Sequence, residues 1–208
     1  MARTQSATKF SKAGPRARPL LVLASTSPRR HRLLAEYGYE FEVIAPVGVD
    51  EIAPSYLSPG ETVLANARAK ARAIARDRTD ALVIGVDTEV FFEGRVLGKP
   101  GDMAEALQMI ERLNGRTHEV YSGVWFARGD RGRGFIDVTR VQFHRRSTTE
   151  LQRYLARINP LDKAGAYAAQ EDHGEMIDRV EGSYSNVIGL PMERLAEELR
   201  LEGVVPNA

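Results

Sequence analysis

The sequence predicts an α/β fold, a twisted mixed sheet flanked by helices, and three observations carry that expectation. Short apolar runs with the length of buried strands alternate with stretches of helical period. Helix starts of the Ser-Pro and Ser-x-x-Glu kinds stand between them. Two of the most apolar runs break abruptly into polar residues, as strands do where they reach a cleft. With 208 residues and 43% hydrophobic content, the chain is long enough for one large domain or two closely joined lobes. Such a chain buries roughly 70% of its unfolded surface.

Residues 1–19 include Arg3, Lys9, Lys12, Arg16 and Arg18, no acid and almost no large apolar side chain, and are expected to form a disordered basic tail. A single folded domain is expected over 20–208. Leu20 to Ala24 reads as a buried parallel strand. Ser27 is placed to cap a helix and Pro28 to open it, since the missing N–H of proline costs nothing at that position. The helix is expected to reach Tyr37, with Gly38 suited to the left-handed position after it and Tyr39 to Ile44 as the next strand. Ser58-Pro59-Gly60-Glu61 is a capping box for a second helix with Leu64, Ala67, Ala71 and Ile74 on its apolar side. Ala81 to Val86 then reads as a buried strand ending in Asp87-Thr88-Glu89, followed by a hairpin turning at Glu93-Gly94. Asp102 and Glu105 open a third helix that stops at Gly115. Strands are expected from Glu119 to Ala127 and from Phe135 to Phe143, before a fourth helix capped by Ser147 and Glu150.

Composition narrows the chemistry. Lys and Arg total 29 against 28 for Asp and Glu, so a net charge of +1 gives no general attraction to nucleic acid or membrane, and any anion site must be local. The absence of cysteine excludes disulfides, zinc–thiolate sites and thiol nucleophiles. No apolar run approaches the about 20 residues needed to span a bilayer, so a cytoplasmic protein is expected. His31, His118, His144 and His173 are too scattered to suggest a metal cluster.

Two strand ends stand out. After Leu20 to Ala24, the run Ser25-Thr26-Ser27-Pro28-Arg29-Arg30 has the form of an anion cradle. A helix starting at Pro28 aims free N–H groups and its positive end beyond the strand, and two guanidinium groups add forked donors suited to phosphate oxygens. Without a glycine-rich loop, the motif alone leaves a solvated helix start equally open. Asp87, directly after Val-Ile-Gly-Val, is poorly explained by packing, because a carboxylate beside a core needs a cation, a metal or hydrogen bonds. It is the best catalytic candidate in the chain.

The motifs, in order, resemble those of the Maf family of nucleoside triphosphate pyrophosphatases from about Leu20 to Leu199. Ser25 to Arg30 is similar to the family's opening segment, Val83 to Thr88 to its Asp-Thr strand end, and Leu97-Gly98-Lys99-Pro100 to its Gly-Lys-Pro turn. Asp162-Lys163-Ala164-Gly165-Ala166-Tyr167 with Gln170, and Gly182 to Pro191, complete the set.

This resemblance implies a Maf/ITPase-like arrangement of two lobes around a central nucleotide cleft. It also implies hydrolysis of a nucleoside triphosphate to monophosphate and pyrophosphate, assisted by a divalent cation, Mg²⁺ or Mn²⁺. Asp87 matches the family's proton acceptor and Glu51 an acidic position that would help hold the metal. Whether Asp87 serves metal, base or both stays open in the sequence. Ser25, Ser27, Arg30, Lys70 and Lys99 would bind the triphosphate. By composition alone Lys70, amid Arg68, Arg72 and Arg76, would be part of a solvated face, and Lys99 a surface residue.

Arg29, Thr88 and Gln170 match the branch acting on dTTP and UTP, and a glutamine amide can pair with a pyrimidine edge through one donor and one acceptor. Glu89 departs from a typically apolar position, either adding a metal ligand or pointing outward. The alternatives are a regulatory nucleotide-binding protein acting in septum formation and the 7-methyl-GTP branch. The only partner expected besides the nucleotide is a second copy of the chain.

Overall fold

Leu20–Ala24 forms β1, whose last four side chains are buried. The computed structural model describes residues 19–52 and 57–207, so the basic tail expected at 1–19 lies outside the described residues apart from Pro19. After β1 come α1 (Pro28–Glu36), β2 (Glu42–Val43), α2 (Pro59–Ala75), β3 (Ala81–Phe92), β4 (Arg95–Leu97) and α3 (Met103–Leu113). The chain continues with β5 (Thr117–Arg128), β6 (Arg131–Phe143) and α4 (Thr148–Arg157). Three 3-10 turns, at Pro160–Asp162, Ala164–Ala166 and Ala169–Glu171, lead to β7 (Ile177–Glu181), α5 (Tyr184–Ile188) and α6 (Met192–Leu201). No helix among the described residues is long and apolar enough to cross a membrane.

The strands make one seven-stranded mixed sheet in the order β2-β1-β3-β5-β6-β7, with β4 added to β3. β1 runs parallel to β2 and β3, and every other pairing is antiparallel. One edge of β3 is shared. Its pairing with β1 stops at Gly85, opposite Ala24, and its pairing with β4 starts at Val90, opposite Leu97. Residues 86–89 therefore present a free backbone edge in the middle of the sheet, where the carboxyl end of β1 opens outward. Ligands of α/β folds settle at such a break in strand order.

Three expectations about elements need correction. The strand expected from Tyr39 to Ile44 is reduced to Glu42–Val43, because β1 offers partners only at Val22 and Leu23, while Tyr39 and Phe41 pack into the core. Asp87-Thr88-Glu89 is not a strand end: β5 keeps pairing along the other edge of β3 from Val83 to Phe91, so the strand runs on to Phe92. Leu64, expected in the core, is half-buried, while Val63 and Asn66 are buried on the packed face of α2. The helix caps at Ser58 and Ser147 have both bonds of the capping box, and Asp102 accepts from Glu105 N.

The core divides at the break. One cluster, including Val90, Ile110, Phe143, Leu151 and Tyr167, fills the side of α3, α4 and the hairpin. A second, including Leu23, Leu34, Ile84, Phe126 and Leu195, lies under α1 and α6, and a third under α2. The long strands β3 and β5 contribute side chains to all three.

Candidate active site

Two glycines set the site. A Cβ on Gly85 would stand 2.1 Å from Ala67 O, and one on Gly123 2.4 Å from Val63 C, so α2 lies almost directly on the backbones of β3 and β5. Strand alternation puts Asp87 on the same face as Gly85, under the next turns of that helix. Close approach thus delivers Asn66 and Lys70, one helical turn apart, to one carboxylate. Lys70 Nζ lies 2.6 Å from Asp87 Oδ1, and Asn66 Nδ2 donates to Oδ2 at 3.1 Å. Asp87 is only 7% exposed, yet both its oxygens are bonded, which answers the cost of burying a charge.

Glu51 joins from the loop before α2. Asn66 staples that loop, accepting from Ile52 N at 2.8 Å through Oδ1 and donating back to Ile52 O. Glu51 Oε1 is then 2.7 Å from Lys70 Nζ, and this hydrogen bond holds the Glu51 carboxyl below its usual range. Glu89, two residues beyond Asp87 on the same face, behaves oppositely. Burial, then repulsion from Asp87 and Glu51, raise its carboxyl to about 7, and its Oε2 has no hydrogen-bond partner among the described residues. Glu89 therefore lines the cleft rather than pointing outward.

The β1–α1 junction supplies the cationic wall. Ser27 sits at the N-cap position of α1 without a side-chain cap bond; instead its N–H donates to Ser25 Oγ at 3.1 Å. Arg30 is engaged along most of its fork. Its Nε donates to Gly189 O at 2.8 Å, Nη1 to Val86 O at 3.1 Å and to Ser25 Oγ at 3.4 Å, and Nη2 to Thr88 Oγ1 at 3.0 Å. Arg30, expected as a forked donor to phosphate oxygens, is a cation pinned in place, with one of its five N–H groups uncommitted among the described residues. Burial lowers this guanidinium to about 10, an effect that Asp87 partly offsets. Val86 O can accept because it belongs to the unpaired edge of β3.

Arg29 reaches across to the 3-10 turns, donating to Asp162 Oδ2 at 3.1 Å and to Asp162 O at 3.3 Å. Lys163 is 6% exposed and donates to Asn159 O and Asp162 Oδ1. Gly189, which gives its carbonyl to Arg30, has φ +124°, a conformation that favours glycine.

One cleft of about 630 Å³ gathers these groups. Every candidate named from the sequence borders it: Ser25, Ser27, Arg29, Arg30, Glu51, Lys70, Asp87, Thr88, Lys99 and Gln170. Lys99 is exposed on the turn after β4, and Gln170 is half-buried in the last 3-10 turn. Sequence reasoning missed Asn66, Ser122 and the Gly189 carbonyl. Asn66 carried a usable signal, a poor helix former inside an alanine-rich helix one turn before Lys70. Ser122 and Gly189 O carried none, because their partners are far away in the chain.

Among the described residues no three acidic or histidine side chains gather as a ready-made metal site, since Lys70 stands between Glu51 and Asp87. The donors are nevertheless hard carboxylate oxygens. One or two of these, completed by substrate phosphates, are the usual protein share of a Mg²⁺ site, and the unpartnered Glu89 oxygen lies in the same cleft.

The family model described as Maf-like protein matches residues 20–202. A dTTP/UTP pyrophosphatase from Moorella thermoacetica is 46% identical over 186 residues, 88% of this chain and 95% of that protein. One from Bacillus anthracis is 42% identical over 180 residues, 86% of this chain and 94% of that protein. The solved structure of a HAM1 protein from Coxiella burnetii covers 87% of this chain and 98% of its own at TM-score 0.49 and 18% identity.

Proposed function

This chain belongs to the Maf-like protein family, and we propose that it hydrolyses a nucleoside triphosphate, dTTP or UTP foremost, to the monophosphate and pyrophosphate. The observation that carries the reading is one buried carboxylate, Asp87, held at both oxygens and facing the same cleft as the Arg30, Ser25 and Ser27 cradle. The related proteins named dTTP/UTP pyrophosphatase support the choice of substrate.

A triphosphate has several negative charges, and attack at its α-phosphorus needs them held while water stays in line with the leaving pyrophosphate. The pinned charge of Arg30, the exposed ammonium of Lys99 and the N–H groups at the start of α1 receive the phosphates. Each Asp87 oxygen keeps a lone pair beyond its bond to Lys70 or Asn66. With one of these it orients a water and takes its proton as the oxygen attacks phosphorus, while the bond to the bridging oxygen breaks and pyrophosphate leaves. Glu51 and Asp87 are the residues that would hold Mg²⁺ or Mn²⁺, whose part is to neutralise phosphate charge. Arg29 and the amide of Gln170 face the base. The same reading includes the cytoplasmic setting and the homodimer that the family resemblance implies.

The test is a nucleotide panel with Mg²⁺ or Mn²⁺, scoring pyrophosphate against phosphate. Pyrophosphate release with dTTP and UTP ahead is expected. Tight binding without turnover would favour the regulatory reading, and a methylguanosine preference the other branch.

A further inference from the structure

We propose that Ser122 is a positioning residue that acts through Thr88 on Arg30, and that the Thr88 hydroxyl serves the grip on the polyphosphate instead of reading the base. The inference rests on the reading of the cleft as a triphosphate site and deepens it.

The argument is one of hydrogen-bond capacity. Ser122, on β5, is 0% exposed, and its only side-chain partner among the described residues is Thr88 Oγ1 at 2.8 Å. A buried hydroxyl must place its hydrogen, so Ser122 donates and Thr88 accepts. Thr88 Oγ1 also accepts from Arg30 Nη2 at 3.0 Å, and its own hydrogen goes to Gly189 O at 3.3 Å. A hydroxyl has one donor and two acceptor positions, and all three are taken. Nothing is left for a hydrogen bond to a nucleobase.

The direction of the chain is therefore fixed: Ser122 to Thr88 to Gly189 O, with Arg30 bonded to both Thr88 and Gly189 O. Register explains how the sheet provides it, because Thr88 and Ser122 are directly paired on adjacent strands and so point to the same face. That face is opposite the one bearing Asp87, so the chain aims the cation without touching the base that activates water. Its loss should change how tightly the phosphates are held, equally for every base.

Three variants test this: Ser122→Ala, Thr88→Val, which keeps the shape without the hydroxyl, and Thr88→Ser, which keeps the hydroxyl. The probes are the Kd for inorganic tripolyphosphate and kcat/KM for dTTP, UTP and methylguanosine triphosphate. Losing a hydrogen bond to a charged group predicts that Thr88→Val raises the tripolyphosphate Kd about tenfold, and losing the neutral bond that holds Thr88 predicts that Ser122→Ala raises it about threefold, with Thr88→Ser within about twofold of the parent. KM is expected to rise by a common factor across the three nucleotides at unchanged kcat, leaving their ratios intact. An unchanged tripolyphosphate Kd in either variant overturns the proposal, and so does a shift in the nucleotide ratios. If the parent protein released no pyrophosphate, the functional reading would fall, while the tripolyphosphate comparison would still decide this one.

Discussion

The ammonium of half-buried Lys70 stands 2.6 Å from Oδ1 of buried Asp87, a contact between α2 and β3 made where glycine lets the helix touch the strand. Lys70 also binds Glu51, so one cation holds two carboxylates that would otherwise repel each other across the cleft.

Asp87→Asn keeps the shape and the cleft but cannot take a proton. The expected result is a fall of kcat by about 10²-fold to 10⁴-fold with nucleotide binding retained, the scale of a positioned acid or base. Single-turnover pyrophosphate release alongside a binding titration measures both; normal turnover would remove Asp87 from the role.

Lys70→Met leaves Asp87 with Asn66 as its remaining partner and exposes it to Glu51. Removing one member of a buried pair costs about 3 kcal/mol, and Lys70→Met with Asp87→Asn together should cost less than the sum of the single changes. Urea unfolding of the four proteins in the cycle gives the coupling. A value under about 0.5 kcal/mol would mean that the contact is not held in solution.

Gly85→Ala tests the approach of α2. The added methyl would fall 2.1 Å from a backbone carbonyl that cannot swing aside, so helix and strand must separate. We expect a loss of about 3 kcal/mol or more, and of activity through the displaced Lys70. A variant as stable as the parent would contradict the packing described. By contrast, Gly94→Ala has nothing within 4 Å of the new carbon and should show only the cost of a positive φ.

Glu89 makes stability depend on pH. Its carboxyl is raised to about 7 in the fold by burial and by repulsion from Asp87 and Glu51, above the ordinary value of 4.5. The fold therefore binds this proton more tightly than the unfolded chain does. That stabilisation is complete below the unfolded value and is lost as pH rises through about 7. Glu89→Gln escapes the loss, so its Tm should gain on the parent's between pH 5 and pH 8. An identical Tm difference at both ends would show that the carboxyl is not held in the environment described.

What the chain announced in advance was whatever depends on neighbours in sequence. The apolar run before Ser25, proline at the start of α1, the capping boxes at Ser58 and Ser147 and the Glu93-Gly94 turn are local, and each appears in the fold. The residues that border the cleft were legible for a related reason: polar groups directly after a buried strand, and motifs in family order, need no knowledge of distant contacts. Element length was less legible. β2 shrank and β3 grew because strand extent is set by the partner's available edge, not by the strand's own residues.

Only the tertiary structure decided which charges meet. By composition alone Lys70 was one cation among the arginines of its helix, and the family resemblance placed it on the triphosphate; its contact with Asp87 came from Gly85 and Gly123, which bring that helix onto the strand. Arg30 looked like a free fork until Val86 O, Thr88 and Gly189 O consumed most of its donors. Local sequence fixes backbone preference over a few residues, whereas pairing of buried polar groups is enforced by the cost of leaving them unsatisfied, and that cost is settled between residues that the chain keeps far apart.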